Sequence, residues 1–427
     1  MNQGWHRSYA KFHGRGQRDL FEKCVEFHQY AQSVRESGFG AVQYRVELLT
    51  PLDAHIVVRA PDGRSHKMIC FDSNSYLGLH LHPRVISAVH RALDEFGYGT
   101  ASAQVLGGTN SYLLELEQLM AHFHGREDAL IFPSGYQANV GILTGLMRRK
   151  DRAYLDQYSH ASIHDGAAFS GARVATYPHR DVAELERMLA ADEGDFGKLI
   201  VSDGLFSMHG DLALLPDLIA AGRKLGARVM IDDAHGLGVI GPTGRGVEEH
   251  YGMQGETDLY MGTFSKAPGS LGGYVCADAE IIDYLRYFAR GSLFTATTPA
   301  ALCAGLAESI RVMQEEPEHR EKLWENCRYL WDGLNAIGLQ LRPLESPIIP
   351  VAIGDENLQG PLSLKLFDAG IKCGFAQYPA VPMGECMLRF TVCSRHDRED
   401  LDRTIDVLRA LSKQLPIRRE DAQVMRQ

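Results

Sequence analysis

Ala227-Arg-Val-Met-Ile-Asp-Asp-Ala-His235 runs from apolar residues into two acids and an imidazole, and Asp258-Leu-Tyr-Met-Gly-Thr-Phe-Ser-Lys266 runs from apolar residues into two hydroxyls and a lysine. Each apolar run reads as a buried strand, and each polar cluster sits where that strand ends. A lone lysine is ordinarily a solvated surface charge. Two neighbouring strand ends of a parallel sheet, however, bring Lys266, Asp232, His235, Thr263 and Ser265 to one edge, which is where open α/β sheets bind ligands. That set meets the needs of pyridoxal 5'-phosphate (PLP). An amine forms the Schiff base, a carboxylate pairs with the pyridinium nitrogen, and hydroxyls and backbone N–H groups hold the phosphate.

Outward from these two strands the chain alternates regularly. Pro83 to Phe96 reads as a helix, with Pro in its first turn, Val85, Ile86, Val89 and Leu93 on one face and Gly97 at its end. A second helix spans Tyr112 to Phe123, capped by Ser111 and closed near Gly125. Strands follow over 129–132, 153–156, 173–177, 199–202, 228–232, 258–261 and 273–277, with helices over 136–147, 161–169, 182–190 and 216–225. This is the pattern of an α/β fold with a mostly parallel sheet flanked by helices. After Pro299 the chain turns helical, over 300–313 and 318–338, before a second α/β stretch: strand 348–353, helix 359–369, strand 387–392 and helix 397–411. Upstream, 19–40 has a helical pattern, and 44–70 reads as two short strands around the turn Pro61-Asp62-Gly63. The expected division is an N-terminal arm, helix and short strands over 1–70, a large cofactor-binding domain over 71–310, and a smaller C-terminal α/β domain over 311–427. The tail after Leu415 is polar and expected to fray.

Hydrophobic residues make up 45% and charged residues 23% of the 427 positions, as in ordinary soluble globular proteins. The formal net charge of −10 leaves no basic field for nucleic acid. His6, Arg7, Lys11, His13, Arg15 and Arg18 make Met1–Arg18 basic. The plain reading is a solvated arm, and contact with an acidic carrier or anionic lipid is the alternative. With no bilayer-spanning apolar stretch and no signal-peptide core, the expected location is cytoplasmic. Eight scattered cysteines without a CxxC fit a reducing compartment. His80-Leu-His82 is a poor metal site, because residues two apart diverge on a helix and no further ligands cluster nearby in sequence, so no metal is expected.

Three further segments bear on chemistry. Pro133-Ser-Gly-Tyr136 lies between a strand and a helix, where N–H groups and the helix dipole favour an anion, although Tyr136 reads equally as a core aromatic. Ser159-His-Ala-Ser162 sits at a helix start. There His160 is either a solvent-facing helix-end residue or, in a PLP site, a ring-stacking and substrate-contacting imidazole. Gly236-Leu-Gly-Val-Ile-Gly241 matches GxGxxG but opens no helix, since Pro242-Thr-Gly244 follows at once, so it reads as a glycine-rich turn rather than a dinucleotide site. The acidic pair Asp232-Asp233 has no accompanying GxxxxGK[ST] loop, so an ATPase reading fails, and the lack of a GxSxG elbow weighs against a common hydrolase class.

Seven blocks in order complete the picture: Asn74-Ser-Tyr-Leu-Gly-Leu79, Ser134-Gly-Tyr-Gln-Ala-Asn139, His160-Ala-Ser-Ile163, Asp203-Gly-Leu-Phe-Ser-Met208, Asp232-Asp-Ala-His235, Gly262-Thr-Phe-Ser-Lys266 and Met387-Leu-Arg-Phe390. From about Phe71 to His396 the chain resembles the α-oxoamine synthase family of fold-type I PLP-dependent transferases. Leu271-Gly-Gly-Tyr274, Phe294-Thr-Ala296 and Tyr378-Pro-Ala-Val-Pro382 give it a texture most similar to bacterial serine palmitoyltransferases.

The resemblance implies roles residue by residue. Lys266 matches the Schiff-base lysine, which also moves the Cα proton. Asp232 matches the partner of the pyridinium nitrogen, His235 the contact to the phenolic oxygen, Ser207 a residue near that oxygen, and His160 the stacking imidazole. Gly135, Tyr136, Thr263 and Ser265 match phosphate ligands. Thr295 matches a phosphate contact given by a partner subunit, which implies a homodimer with shared active sites. Asn74 and Arg389 match the groups that hold the amino-acid carboxylate, a planar anion that suits a guanidinium fork. There are two departures. Ala103-Gln104 stands where relatives carry Ser-Arg or Thr-Arg near the substrate side chain, and Met208-His-Gly210 replaces Met-Asp-Gly or Met-Glu-Gly.

The implied reaction is a decarboxylative Claisen condensation of a small amino acid, serine first with alanine or glycine next, with an acyl thioester carried by coenzyme A or an acyl carrier protein. Its products are an aminoketone, CO2 and free thiol, as in sphingoid-base or related lipid synthesis. The rival readings are another fold-type I PLP reaction, such as transamination, and a non-catalytic partner subunit of a heterodimeric synthase.

Overall fold

The computed structural model describes Phe12 and residues 19–36, 46–60, 62–378 and 380–417. Apart from Phe12, the basic arm Met1–Arg18 lies outside the described residues, as do the end of the 19–40 helical pattern and the tail beyond Ile417. The strands in chain order are β1 (Glu47–Leu48), β2 (His55–Arg59), β3 (Ser65–Phe71), β4 (Asp128–Phe132), β5 (Arg152–Asp156), β6 (Arg173–Tyr177) and β7 (Lys198–Asp203). They continue as β8 (Arg228–Asp232), β9 (Leu259–Thr263), β10 (Gly273–Ala277), β11 (Ile348–Ala352), β12 (Ile371–Ala376) and β13 (Met387–Thr391).

The chain forms two compact units. The larger comprises 74–207 and 211–321 and is built on a seven-stranded sheet of order β4-β10-β9-β8-β7-β5-β6. From β9 to β6 the strands are parallel, as the alternating helix–strand pattern predicts, whereas β10 runs antiparallel to both β4 and β9. Every residue of β9 and β10 is buried, which is why these strands read as nearly unbroken apolar runs. Leu130, Phe132, Leu155, Val201, Met230, Met261 and Val275 from the sheet pack with Ile142, Leu143 and Ile163 from helices Gly135–Leu146 and Ala161–Ser170.

The smaller unit comprises 1–73, 208–210 and 322–427 and holds a six-stranded sheet of order β1-β2-β3-β12-β13-β11. β3 and β12 pair in parallel, with Ile371 opposite Ile69, and this joins the N-terminal strands to the C-terminal ones. Helix Arg398–Leu411 opens on a capping box in which Asp397 and Asp400 satisfy each other's backbone N–H groups. His396 stacks on Phe71, takes a hydrogen bond from the Cys393 N–H (3.1 Å) and lies 3.0 Å from the Cys70 carbonyl. Burial holds its imidazole neutral, with a pKa of about 4.

The structure corrects the sequence reading in several places. Asn110, not Ser111, caps helix Ser111–His124, because its side-chain oxygen reaches the Leu113 N–H at 3.0 Å while Ser111 already lies inside the helix. β9 extends to Thr263, so the first hydroxyl belongs to the strand itself. Helix Ala279–Phe288 and strand β12 are additional elements. Among the described residues no helix is long and apolar enough to cross a membrane.

Candidate active site

At the C-terminal end of β4 the chain turns into helix Gly135–Leu146. Ser134 is its N-cap and accepts the Gln137 N–H at 3.1 Å. The remaining N–H groups of this first turn, with the helix dipole behind them, form an anion-binding surface. It can be approached closely because Gly135 has no side chain. A Cβ there would stand 3.0 Å from both the Cβ and the Oγ1 of Thr263. Gly273 serves the same approach from the other side, since a Cβ on it would lie 2.7 Å from the Gly135 Cα. Thr263 Oγ1 donates to the Gly272 carbonyl at 2.7 Å and lies 2.9 Å from Ser265 Oγ. Ser265 is exposed, so its hydroxyl is the more available of the two to an anion. The Tyr136 ring is exposed and its hydroxyl donates to the Asp165 carboxylate, which leaves the residue's backbone N–H as its contribution to the turn.

Asp232 ends β8 in register with Met261 of β9 and Asp203 of β7. Both its oxygens are held from within the protein: Oδ2 accepts Asn139 Nδ2 at 2.7 Å, and Oδ1 accepts the Ala234 N–H at 3.0 Å. The same Asn139 Nδ2 donates to Ser162 Oγ at 2.9 Å, and Ser162 Oγ lies 2.7 Å from His160 Nδ1. The Ser162 N–H also donates to His160 Nδ1, at 3.3 Å, so Nδ1 is the acceptor nitrogen and the proton of neutral His160 sits on Nε2. Asp232, Asn139, Ser162 and His160 thus form one continuous network. His160 caps helix Ala161–Ser170 while its ring stays exposed, and its backbone N–H donates to Asp203 Oδ1 at 2.9 Å.

Burial, and next the negative charge of Asp232, raise the Asp203 carboxyl well above the usual range, while the positive charge of Lys266 acts in the opposite direction. Lys266, just beyond β9, is half-buried and is felt electrostatically at Asp203. His235 is buried, and its Nδ1 lies 2.7 Å from the Tyr76 hydroxyl. Tyr76 is itself fully buried at φ 42, a left-handed conformation uncommon for a bulky residue and costing about 1–3 kcal/mol. The loop leading to His160 is pinned by Asp156, whose carboxylate accepts the N–H groups of Tyr158 and Arg180, both at 2.9 Å. His179 bridges Asp156 (3.0 Å) and Asp211 (3.1 Å). Burial lowers the pKa of His179, but the two carboxylates outweigh it and push it up to about 9, so the bridge carries positive charge at neutral pH.

The larger unit therefore brings together Gly135, Tyr136, His160, Asp232, His235, Thr263, Ser265 and Lys266. Asn74 and Ser207 are half-buried in the same unit. Thr295 is half-buried beside Ala296, whose backbone bridges Ala103. Arg389 is on β13 of the smaller unit, nearly buried, with Nη1 donating to Thr391 Oγ1 at 2.9 Å. Gln104 Nε2 reaches the Ile131 carbonyl and Ser292 Oγ, both at 3.4 Å. His209 is buried in the 208–210 segment of the smaller unit, where Ser346 Oγ donates to the Gly210 carbonyl at 2.7 Å. Sequence reasoning assigned no role to Asn139, Ser162, Tyr76 or Asp203, although all four lie inside the quoted blocks. The available signal was a polar side chain on an otherwise apolar helix face, as at Asn139.

The glycine-rich turn has a structural explanation. The Asp233 carboxylate accepts the Val247 N–H at 2.7 Å and the Tyr260 hydroxyl, a Cβ at Gly236 would collide with its Oδ1, and Gly238 (φ 80) and Gly241 (φ 85) take left-handed conformations. No nucleotide is needed to account for the glycines.

Comparison with known proteins places this geometry. The model of the aminotransferase class I and II family matches residues 66–408. 8-Amino-7-oxononanoate synthase 1 of Bacillus velezensis is 41% identical over 83% of this chain and 90% of its own length. Serine palmitoyltransferase of Sphingobacterium spiritivorum is 39% identical over 83% and 89%. The 4-hydroxy-2,2'-bipyrrole-5-methanol synthase PigH of Serratia sp. is 40% identical over 94% of this chain, which spans only 61% of that relative's length. Among solved structures, Sphingomonas wittichii serine palmitoyltransferase superposes with a TM-score of 0.86 at 34% identity, covering 92% of this chain and 98% of that one. A high-resolution structure of SPT with its PLP internal aldimine gives 0.87 at 33%, covering 93% and 99%. The chain belongs to the aminotransferase class I and II family, with the fold-type I architecture. Within that family it is an α-oxoamine synthase, a PLP-dependent acyltransferase.

The residues present fit PLP. A helix N-terminus that a glycine leaves open can take the phosphate, an internally hydrogen-bonded carboxylate can face the ring nitrogen, an exposed imidazole is free to stack, and a half-buried lysine follows β9.

Proposed function

We propose that this chain condenses a small amino acid, serine first and alanine or glycine next, with an acyl thioester, releasing an aminoketone, CO2 and the free thiol. The observation that carries this reading is the network from Asp232 through Asn139 and Ser162 to His160, with the charge of Lys266 felt at the neighbouring Asp203. PLP, when bound, supplies an electron sink that stabilises negative charge at the amino-acid Cα. The protein's own groups do the rest. Asp232, held by Asn139 and Ala234, keeps a proton on the ring nitrogen. His160, its Nδ1 engaged by Ser162, presents Nε2–H on the exposed side. Lys266 Nζ removes the Cα proton and returns one after CO2 leaves.

Ser207 and His235 are assigned to the phenolic oxygen, Asn74 and Arg389 to the amino-acid carboxylate, and Thr295 to the phosphate of a second subunit in a homodimer. Support for serine comes from the serine palmitoyltransferases that the chain resembles over most of its length. The acyl donor is a thioester of coenzyme A or of an acyl carrier protein.

The test is a visible-absorbance titration of the purified holoenzyme with serine, alanine and glycine separately. It is followed by measurement of CO2 release when an acyl thioester is added. The expected result is a saturable change in the cofactor band with serine, and CO2 release that Lys266→Ala abolishes. A band that answers only alanine or glycine overturns serine. CO2 retention with a bound amino acid and a thioester overturns the condensation.

A further inference from the structure

His80-Leu-His82 offers no metal site as a sequence motif, but the fold of the larger unit gives His82 new neighbours. His82 is the N-cap of helix Pro83–Phe96, with its backbone extended at φ −70, ψ 131. Glu316 is the C-cap of helix Ala300–Glu315, and His319 lies in the first turn of helix Glu318–Ala336. His82 Nε2 lies 3.2 Å from Glu316 Oε2, and His319 Nε2 lies 3.3 Å from the same oxygen. All three ligand atoms fall within 4.8 Å of one another. We propose that His82, Glu316 and His319 form a divalent-cation site, suited to zinc, that ties together the ends of three helices.

The distances are those a metal requires. Zinc bonds to imidazole nitrogen and carboxylate oxygen at about 2.0–2.2 Å, so the edges of a tetrahedral site are about 3.4 Å. Two of the three edges, at 3.2 and 3.3 Å, already have about that length, and the imidazole–imidazole edge lies within 4.8 Å. The two rings lie edge to face, with centroids 5.7 Å apart, so neither blocks the other's approach to a shared ion.

The carboxylate is also oriented for the task. Arg84 Nη1 holds Glu316 Oε1 at 2.9 Å, which turns Oε2 toward both imidazoles, as an outer partner does for a metal ligand. Arg84 also pairs with Glu308 and Glu315, and Arg311 pairs with Glu308 and Glu115. In this network two guanidinium groups face four carboxylates, and the formal excess of two negative charges is what a divalent cation offsets.

Two imidazoles and one carboxylate select zinc over magnesium or calcium, which prefer oxygen ligands. All three side chains are half-buried, which leaves room for water as a fourth ligand. Because the ligands sit at helix ends whose backbone is already set, little ordering cost falls on binding. Zinc takes the neutral form of imidazole, so protons compete with the ion for both rings.

The test uses untagged, chelator-treated holoenzyme. Zinc is titrated calorimetrically, and cobalt is added in parallel for the visible bands of a tetrahedral site. One equivalent per chain is expected, with His82→Gln, His319→Gln and Glu316→Gln each weakening binding at least tenfold. Zinc should raise the thermal midpoint of the parent protein but not that of His319→Gln. Circular dichroism and retention of the cofactor band establish that each variant is folded. Absence of saturable one-to-one uptake by the parent protein overturns the site, whatever the variants do. Unchanged uptake in the folded His82→Gln/His319→Gln double variant overturns it equally and assigns the ion to other ligands.

Discussion

Asp232 and Asp233 are adjacent residues at the end of one strand, yet the surroundings of their side chains differ in kind. Around Asp232 the donors are an amide side chain and one backbone N–H, and the amide passes the contact on through Ser162 to His160, whose ring is exposed. Around Asp233 everything is interior. The Tyr260 hydroxyl and the Val247 N–H converge on Oδ2, glycines press against the carboxylate, and Oδ1 has no hydrogen-bond partner among the described residues. Burial first, and nearby carboxylates after it, raise Asp233 to about 6 against the lowering effect of its two donors. An adjacent acidic pair thus divides into a carboxylate linked to an exposed imidazole and one that anchors a loop, and only the partners tell them apart.

The largest test of this contrast is Asp232→Asn. The amide can accept from only one of the two N–H donors that Asp232 serves and loses the charge proposed to face the ring nitrogen, so turnover should fall roughly 10²–10⁴-fold, with a loss of thermal midpoint that is small beside it. A comparable loss in Asp233→Asn would break the comparison.

The second test reads stability against pH. The folded pKa of Asp233 lies above its unfolded value of 3.8, so the folded state holds a proton the unfolded state has released between pH 4 and 6. Its contribution is fully present below the unfolded pKa and is lost as pH rises through about 6. The amount is of the order of 3 kcal/mol. Chemical denaturation of the parent protein relative to Asp233→Asn, at pH 4 and pH 7.5, should show the parent losing stability over this interval while the variant does not share that loss. A constant difference would refute it.

The smallest effect is expected from Tyr260→Phe, which removes one hydrogen bond to Asp233. It should cost about 1 kcal/mol in denaturant midpoint and leave turnover unchanged. A drop in turnover would mean that the Asp233 hub reaches the catalytic edge.

Much of the larger unit was legible because its strands are buried on both faces. β8 and β9 announce themselves as apolar runs, and what ends them is polar, so Asp232, His235, Ser265 and Lys266 could be placed on one edge from spacing alone. The direction of β10 was not legible. Gly-Tyr-Val-Cys-Ala reads the same whichever way it runs, and only its register against β4 and β9 shows that it is antiparallel. β12 escaped for a local reason: Ile-Lys-Cys-Gly-Phe-Ala has neither clean alternation nor a continuous apolar run, since it mixes fully and half-buried positions. The union of β3 with β12 rests on contacts some 300 residues apart, which no periodicity encodes. In the site, charged and titratable residues were found because their chemistry is recognisable by type. Asn139, Ser162 and Tyr76 were passed over because an amide, a hydroxyl and a phenol acquire meaning only from what they touch.

The pairing of β4 has a consequence for synthesis of the chain. Among the described residues β4 stands at the edge of its sheet and pairs only with β10, which is made about 140 residues later. At roughly 5–20 residues per second, the ribosome takes about 7–30 s to supply that partner. For that interval the turn at Ser134 and Gly135 has been translated but has no strand to brace it. A nascent chain stalled before Gly273 therefore leaves Leu130, Ile131 and Phe132 as an unpaired apolar edge, the kind of surface on which aggregation begins.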